Sequence, residues 1–189
     1  MKTDLDYPRC SIPQMLQQNI HAFASHRAIV FGERTLDFAT FGELSDRAAA
    51  GLCAKGVCKG DRVGLYCVNS DIFAIAYIGI VKAGATVVPI NTLLNPREVA
   101  YILKDAGAKG LIYHDLFGDA VTALRAEVED LDLFICMGQK PCPASDIAWA
   151  DIMASGATRP DVSFDAAEDV VVIIYTSGTT GHPKGAMLT

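Results

Sequence analysis

Five consecutive β-branched residues, Val170, Val171, Val172, Ile173 and Ile174, run directly into Tyr-Thr-Ser-Gly-Thr-Thr-Gly-His-Pro-Lys-Gly. An unbroken apolar run suits a strand buried on both faces of a parallel sheet, whereas a half-exposed strand alternates. At its end Thr176, Ser177, Thr179 and Thr180 supply four hydroxyls, while Gly178 and Gly181 tolerate positive φ and let backbone N–H groups turn toward one point. Lys184 adds a compact, mobile positive charge of the kind that meets phosphate as a point contact. Pro183 stiffens the exit and biases His182 toward an extended conformation. Together these residues predict a phosphate cradle on a rigid stalk. A flexible surface turn is the alternative for Ser-Gly-Thr-Thr-Gly alone, and the apolar strand before it and Pro-Lys-Gly after it weigh against that. A nucleoside-triphosphatase P-loop is excluded by spacing: GxxxxGK[ST] needs Gly before the Lys and Ser or Thr after it, whereas Pro183 precedes Lys184 and Gly185 follows.

The remainder of the chain bounds the partners. At 189 residues and 51% hydrophobic it can bury a core of ordinary domain size. Sixteen basic against 22 acidic residues give a net charge of −6, with no basic run, so nucleic acid is not an expected partner. The N-terminus, MKTDLDYPRC, carries acids where a secretory signal needs an apolar core. The longest apolar stretch, 72–81, ends at Lys82 and is too short to span a bilayer, so the expectation is a cytoplasmic protein with no transmembrane segment. The six cysteines show no CxxC pair and no Cys/His metal spacing, and read as small core or surface residues.

Along the chain, helical and extended patterns alternate. Ser11 and Gln14 have capping-box spacing ahead of Ile12, Leu16, Ile20 and Phe23, and 28–38 reads as a hairpin turning near Gly32 and Glu33. Thr40 and Glu43 form a second box opening a helix with Leu44, Ala48 and Leu52 on one face. Strands are expected over 62–68, 86–90, 109–113 and 132–137, and helices over 71–83 (stopped by Gly84), from Asn95-Pro96 to Gly107, and around 119–129. This order predicts an α/β fold, three-layer, with a mainly parallel sheet and helices on both faces. The expected division is a single unit, 1–189: an N-terminal helix and hairpin (1–38), alternating helix/strand units (40–137), a turn-rich linker (138–168), and the strand plus phosphate loop (170–189).

The motif YTSGTTGHPKGAMLT, Tyr175 to Thr189, resembles the phosphate-loop signature of the adenylate-forming enzymes, which include acyl-CoA synthetases, aryl-CoA ligases, beetle luciferases and peptide-synthetase adenylation domains. Thr40 to Ser70 and Val81 to Ile112 resemble the family's upstream helix/strand blocks, in the same order. Asn91 in VVPIN and Ala186 to Thr189 look more like a carboxylic acid–CoA ligase than a peptide-synthetase domain. The resemblance implies two half-reactions: a carboxylate attacks the α-phosphate of ATP to give an acyl-adenylate and pyrophosphate, then CoA takes the acyl group. By position, Thr176, Ser177, Gly178, Thr179, Thr180 and Gly181 would wrap the β- and γ-phosphates, Thr176 would contact Mg²⁺, and Lys184 would steady the triphosphate. His182 occupies a variable position, and His21, His26 and His114 are assigned surface or capping roles.

The resemblance also places the acyl pocket, adenine contacts, ribose-binding aspartate and catalytic lysine downstream of this loop, so no catalytic residue is assigned here. The chain thus looks like the N-terminal portion of a longer acid–CoA ligase, inactive alone, whose loop strand would gain neighbours from later sequence. Its sheet edge is expected to be apolar and prone to self-association. The competing readings are a stand-alone, non-catalytic nucleotide-binding or interaction module and a peptide-synthetase adenylation domain.

Overall fold

A computed structural model describes residues 10–155, 158, 160–176 and 183–189. Local signals fix the early elements. In α1 (Ile12–Phe23), the Gln14 N–H donates to Ser11 Oγ at 3.3 Å and the Ser11 N–H to Gln14 Oε1 at 2.8 Å, closing the predicted capping box. Leu16 is buried on its inner face, while Phe23 at the far end remains 49% exposed. The hairpin forms from β1 (Arg27–Phe31) and β2 (Arg34–Asp37). Helix α2 (Phe38–Ala54) begins earlier than the Thr40–Glu43 box predicts: Asp37 is the cap, accepting the Thr40 N–H at 2.7 Å. A carboxylate there satisfies an orphan donor and also meets the positive end of the helix dipole.

Strands β3 (Arg62–Tyr66), β4 (Thr86–Pro89), β5 (Gly110–His114) and β6 (Leu133–Met137) fall where expected. So do α3 (Asp71–Lys82), capped by Ser70, and α4 (Pro96–Asp105), whose Asn95 and Glu98 form a capping box. Helix α5 (Gly118–Leu124) is shorter than predicted and gives way to a 3₁₀ turn, Arg125–Glu127. Residues read as linker instead contain β7 (Ile147–Ala148) and α6 (Trp149–Ser155). Neither is long enough to show a period; tertiary contacts make them. The fully buried Ile152 seats α6 on α2 at Gly51, where a Cβ would lie 2.1 Å from the Ile152 carbonyl oxygen. Asp146, just before β7, accepts from Tyr113 Oη at Oδ2 (2.5 Å) and from Arg125 Nη2 at both Oδ1 and Oδ2 (2.5 and 2.6 Å).

With β8 (Val172–Thr176) and β9 (Lys184–Leu188), the main sheet has the order β7-β6-β5-β3-β4-β8-β9, and every neighbouring pair is parallel except β8–β9. Alternation along the strands sorts the core into two layers. Val63, Leu65, Val87, Ile112, Ile135 and Val172 face α2, α3 and α6, while Tyr66, Val88, Leu111, Tyr113, Cys136 and Ile173 face α4 and α5. A third cluster, with Leu16, Leu36, Phe41 and Ile75, joins α1 and the hairpin to the first layer. The three-layer, mainly parallel α/β fold is therefore as predicted.

The end of the sheet departs from expectation. Val172 and Ile173 are buried, but Ile174 is 41% exposed, so β8 is covered on both faces only at its start. Its outer side is taken by β9, formed from residues that the sequence assigns to the tail of the loop. The sheet edge is β9 itself, exposed along its whole length, with Met187 68% and Leu188 48% exposed.

Candidate phosphate-binding hairpin

The predicted cradle is the connection of a β-hairpin. Strands β8 and β9 pair from Val172↔Leu188 to Thr176↔Lys184, so the first and last residues of the predicted site, Thr176 and Lys184, are directly opposed. Opposed residues share a face of an antiparallel pair, which sets Thr176 and Lys184 side by side on one face at the end of the β8–β9 ladder. Both are exposed, and Lys184 makes no ion pair with another described residue. Ser177, Gly178, Thr179, Thr180, Gly181 and His182 lie outside the described residues.

The hairpin stands at the carboxyl end of β8, the end at which open α/β sheets hold their ligands. Its root is secured at the opposite end. The Val87 N–H donates to the Val171 carbonyl at 2.9 Å, the Thr86 hydroxyl to that of Val170 at 2.8 Å, and the Val171 N–H to that of Leu188 at 2.8 Å. Lys59 ties down the segment leading into β8, with Nζ 2.7 Å from Asp169 Oδ2 and 2.8 Å from the Ser163 carbonyl oxygen. That ammonium group holds the Asp169 carboxyl below the usual aspartate value. Near the loop, Tyr175 Oη donates to Asp105 Oδ2 at 2.6 Å, and burial of the ring together with this carboxylate pushes the phenol above its usual value. These contacts, and the crossing of the Tyr175 ring over Gly185, carry no sequence signal beyond the residue types.

Other candidates resolve into structural roles. Two cavities, of about 100 Å³ beside Ser11, Ala85 and Val171 and about 400 Å³ beside Ala108, Leu131 and Asp132, open at the amino ends of the strands, away from Thr176 and Lys184. His114 Nδ1 accepts the Leu116 N–H at 3.2 Å, a capping role, and His21 and His26 are exposed. The six cysteines are free, and among the described residues no cluster of three His, Cys, Asp or Glu side chains could hold a metal ion. No described helix is long and apolar enough to cross a membrane.

Comparison with known proteins agrees with the motif. A model of the family described as AMP-binding enzyme matches residues 16–189. The long-chain-fatty-acid–CoA ligase FadD13 of Mycobacterium tuberculosis is 37% identical over 188 residues, covering 95% of this chain and 35% of that ligase. Surfactin synthase subunit 1 of Bacillus subtilis is 34% identical over 178 residues, covering 94% of this chain and 4% of that protein. Among solved structures, the anthranilate CoA ligase AuaEII in complex with anthranoyl-AMP superposes with a TM-score of 0.89 at 31% identity, over 96% of this chain and 35% of that one. The chain spans about a third of the length of the CoA ligases it matches. The family match over residues 16–189, the shared α/β architecture and a phosphate-type motif at the carboxyl end of β8 together make this chain a member of the AMP-binding enzyme family.

Proposed function

We propose that this chain is the N-terminal part of an ATP-dependent carboxylic acid–CoA ligase and supplies the enzyme's triphosphate grip. The observation that carries the reading is the pairing of Thr176 with Lys184 at the two ends of a hydroxyl- and glycine-rich sequence, in a chain of this family. In this reading Ser177, Gly178, Thr179, Thr180 and Gly181 offer hydroxyls and backbone N–H groups to the β- and γ-phosphates, and Lys184 offsets their charge. Such a grip acts by positioning and charge neutralisation, the main demands of adenylyl and phosphoryl transfer. Mg²⁺ fits as an ion carried on the phosphates: it keeps water and phosphate oxygens and needs few protein ligands, and the exposed Thr176 hydroxyl is one suitable oxygen. When bound, Mg²⁺ would neutralise phosphate charge.

The acid and CoA are substrates of the whole enzyme, in fatty acid or aryl acid metabolism in the cytoplasm, and its acyl chemistry needs residues beyond this segment. The thiol acceptor is CoA in the fatty acid and anthranilate relatives named above, and the surfactin synthase similarity keeps a peptide-synthetase adenylation domain as the second reading. The isolated chain should self-associate through the Ile174, Met187 and Leu188 margin, which light scattering would register as species above 20.2 kDa.

The test is titration of the 189-residue chain with Mg-ATP, followed by hydroxylamine trapping with a panel of acids. The reading expects triphosphate binding weakened roughly tenfold or more in Lys184→Ala, the scale of a lost charge-assisted contact, and no hydroxamate from the chain alone. Unchanged affinity in Lys184→Ala would remove the grip, and hydroxamate formation would remove the claim that further residues are required.

A further inference from the structure

The loop-bearing half of β8 lacks the support that a parallel sheet normally gives. Its ladder with β4 contains one register pair, Val87↔Val172, and the Thr86 and Val87 bonds grip only Val170 and Val171. No register pair with β4 follows Val172, so β9 is the only strand paired with Ile174, Tyr175 and Thr176 among the described residues. A two-stranded ribbon by itself is marginal in water. Yet the Thr176↔Lys184 pair has to point in one direction for the turn between them to receive a ligand.

Two observations identify what holds it. Asp105 is the last residue of α4, where a negative charge opposes the helix dipole, so its placement calls for a compensating contact. It has one: Tyr175 Oη donates to Asp105 Oδ2 at 2.6 Å, one residue before Thr176. Across the hairpin, Gly185 opposes Tyr175, and a Cβ there would lie 3.0 Å from Tyr175 Cζ and 2.7 Å from Ile173 Cγ2. The bare glycine lets the ring cross β9 and reach α4.

We propose that Tyr175, Gly185 and Asp105 form a brace that aims the hairpin, with Tyr175 and Asp105 as positioning residues for the triphosphate grip. The part of this that concerns nucleotide rests on the reading given under Proposed function; the brace does not. Helix α4, otherwise a covering layer, thereby sets the direction of a loop whose strand it does not adjoin in sequence.

The experiment compares Tyr175→Phe, Asp105→Ala, Asp105→Asn, Gly185→Ala and the Tyr175→Phe/Asp105→Ala double variant in the 189-residue chain. Hydrogen exchange is read by mass spectrometry in peptides covering 170–176 and 183–189, with β3 and β5 peptides as internal references, and Mg-ATP affinity is measured alongside. Tyr175→Phe and Asp105→Ala should each speed hairpin exchange and weaken Mg-ATP binding by about 2–10-fold, the scale of one hydrogen bond, with β3 and β5 unchanged. Gly185→Ala should act in the same direction. Asp105→Asn keeps an acceptor oxygen and should stay near wild type, and the double variant should match the worse single one. The proposal falls if hairpin exchange is unchanged in both Tyr175→Phe and Asp105→Ala, or if Asp105→Ala slows exchange, as relief of the helix dipole alone predicts. Altered exchange with equal Mg-ATP affinity in every variant would leave a brace that aims nothing and overturn the positioning role. Altered exchange in the variants, together with no Mg-ATP binding by the wild-type chain, supports the brace and removes the nucleotide reading instead.

Discussion

The β3–β5–β6 body and the β8–β9 margin belong to one sheet but are held by different means. In the body, β5 pairs with β3 over four residues and with β6 over five, and Leu111, Ile112 and Ile135 are fully buried between helical layers. In the margin, β8 buries only Val172 and Ile173, has one register pair and a few hydrogen bonds to the rest, and leaves Ile174, with Met187 and Leu188 of β9, facing solvent. The body's stability is apolar and redundant, whereas beyond Ile173 the margin leans on single polar contacts that can be removed one at a time. The predicted ligand loop sits on the less secured region, as expected if binding sites draw on the low-stability end of a fold.

That contrast can be tested in order of expected effect. Leu111→Ala should cost about 2.7–5 kcal/mol in urea unfolding, since the cavity would open between two layers, while Met187→Ala should stay within about 0.5 kcal/mol. Equal costs would erase the distinction. Asp146→Ala should cost about 2–3 kcal/mol: the carboxylate is fully buried and its loss strands Tyr113 Oη and Arg125, although Arg125, 29% exposed, can recover some solvation. Thr86→Val keeps the shape but removes the hydroxyl that binds the Val170 carbonyl, and should cost about 1 kcal/mol with faster exchange confined to β8 and β9.

The smallest effect is that of acid. The Lys59 ammonium group holds Asp169 below the ordinary aspartate value of 3.8, and the Lys140 and Gln139 N–H groups do the same for Asp115. A depressed native value stabilises the fold above the unfolded value, and that contribution is lost as pH falls from about 4 through the native one. Amide shifts in a pH titration should therefore show the 163–171 segment and the 138–140 turn loosening below pH 4 before the apolar ladders do. Simultaneous loss of β3 and β5 would make the body as polar in its support as the margin.

Much of the body is legible in the sequence because its signals are local. Ser11, Asn95 and their partners announce helix starts within three residues, and Gly84 and Gly107 mark the stops at which the chain adopts φ of +81° and +57°. The cap of α2 is Asp37 rather than Thr40 because the Asp37 carboxylate accepts the Thr40 N–H, a choice between neighbouring capping residues that the geometry makes and the Thr40–Glu43 spacing does not. Helix α6 and strand β7 are too short to carry a period, and depend on Gly51 and Asp146 contacts from distant sequence. At the candidate site, residue types, spacing and the family resemblance make Thr176, Ser177, Gly178, Thr179, Thr180, Gly181 and Lys184 the expected phosphate ligands. The opposition of Thr176 and Lys184, and the tie from Tyr175 to Asp105, depend on tertiary register that no local pattern encodes.

The bond from Thr86 to Val170 joins positions 84 apart in sequence, after the chain has traversed β5, β6, β7 and α6 on the far side of the sheet. Contacts at that separation are slow to form because a long loop must close before they are rewarded. The body, assembled from consecutive units, should therefore provide the surface first, with β8 docking onto a sheet that already exists. The expectation is an order in time as well as in space, scaffold first and β8 last, which pulse-labelled hydrogen exchange during refolding would check.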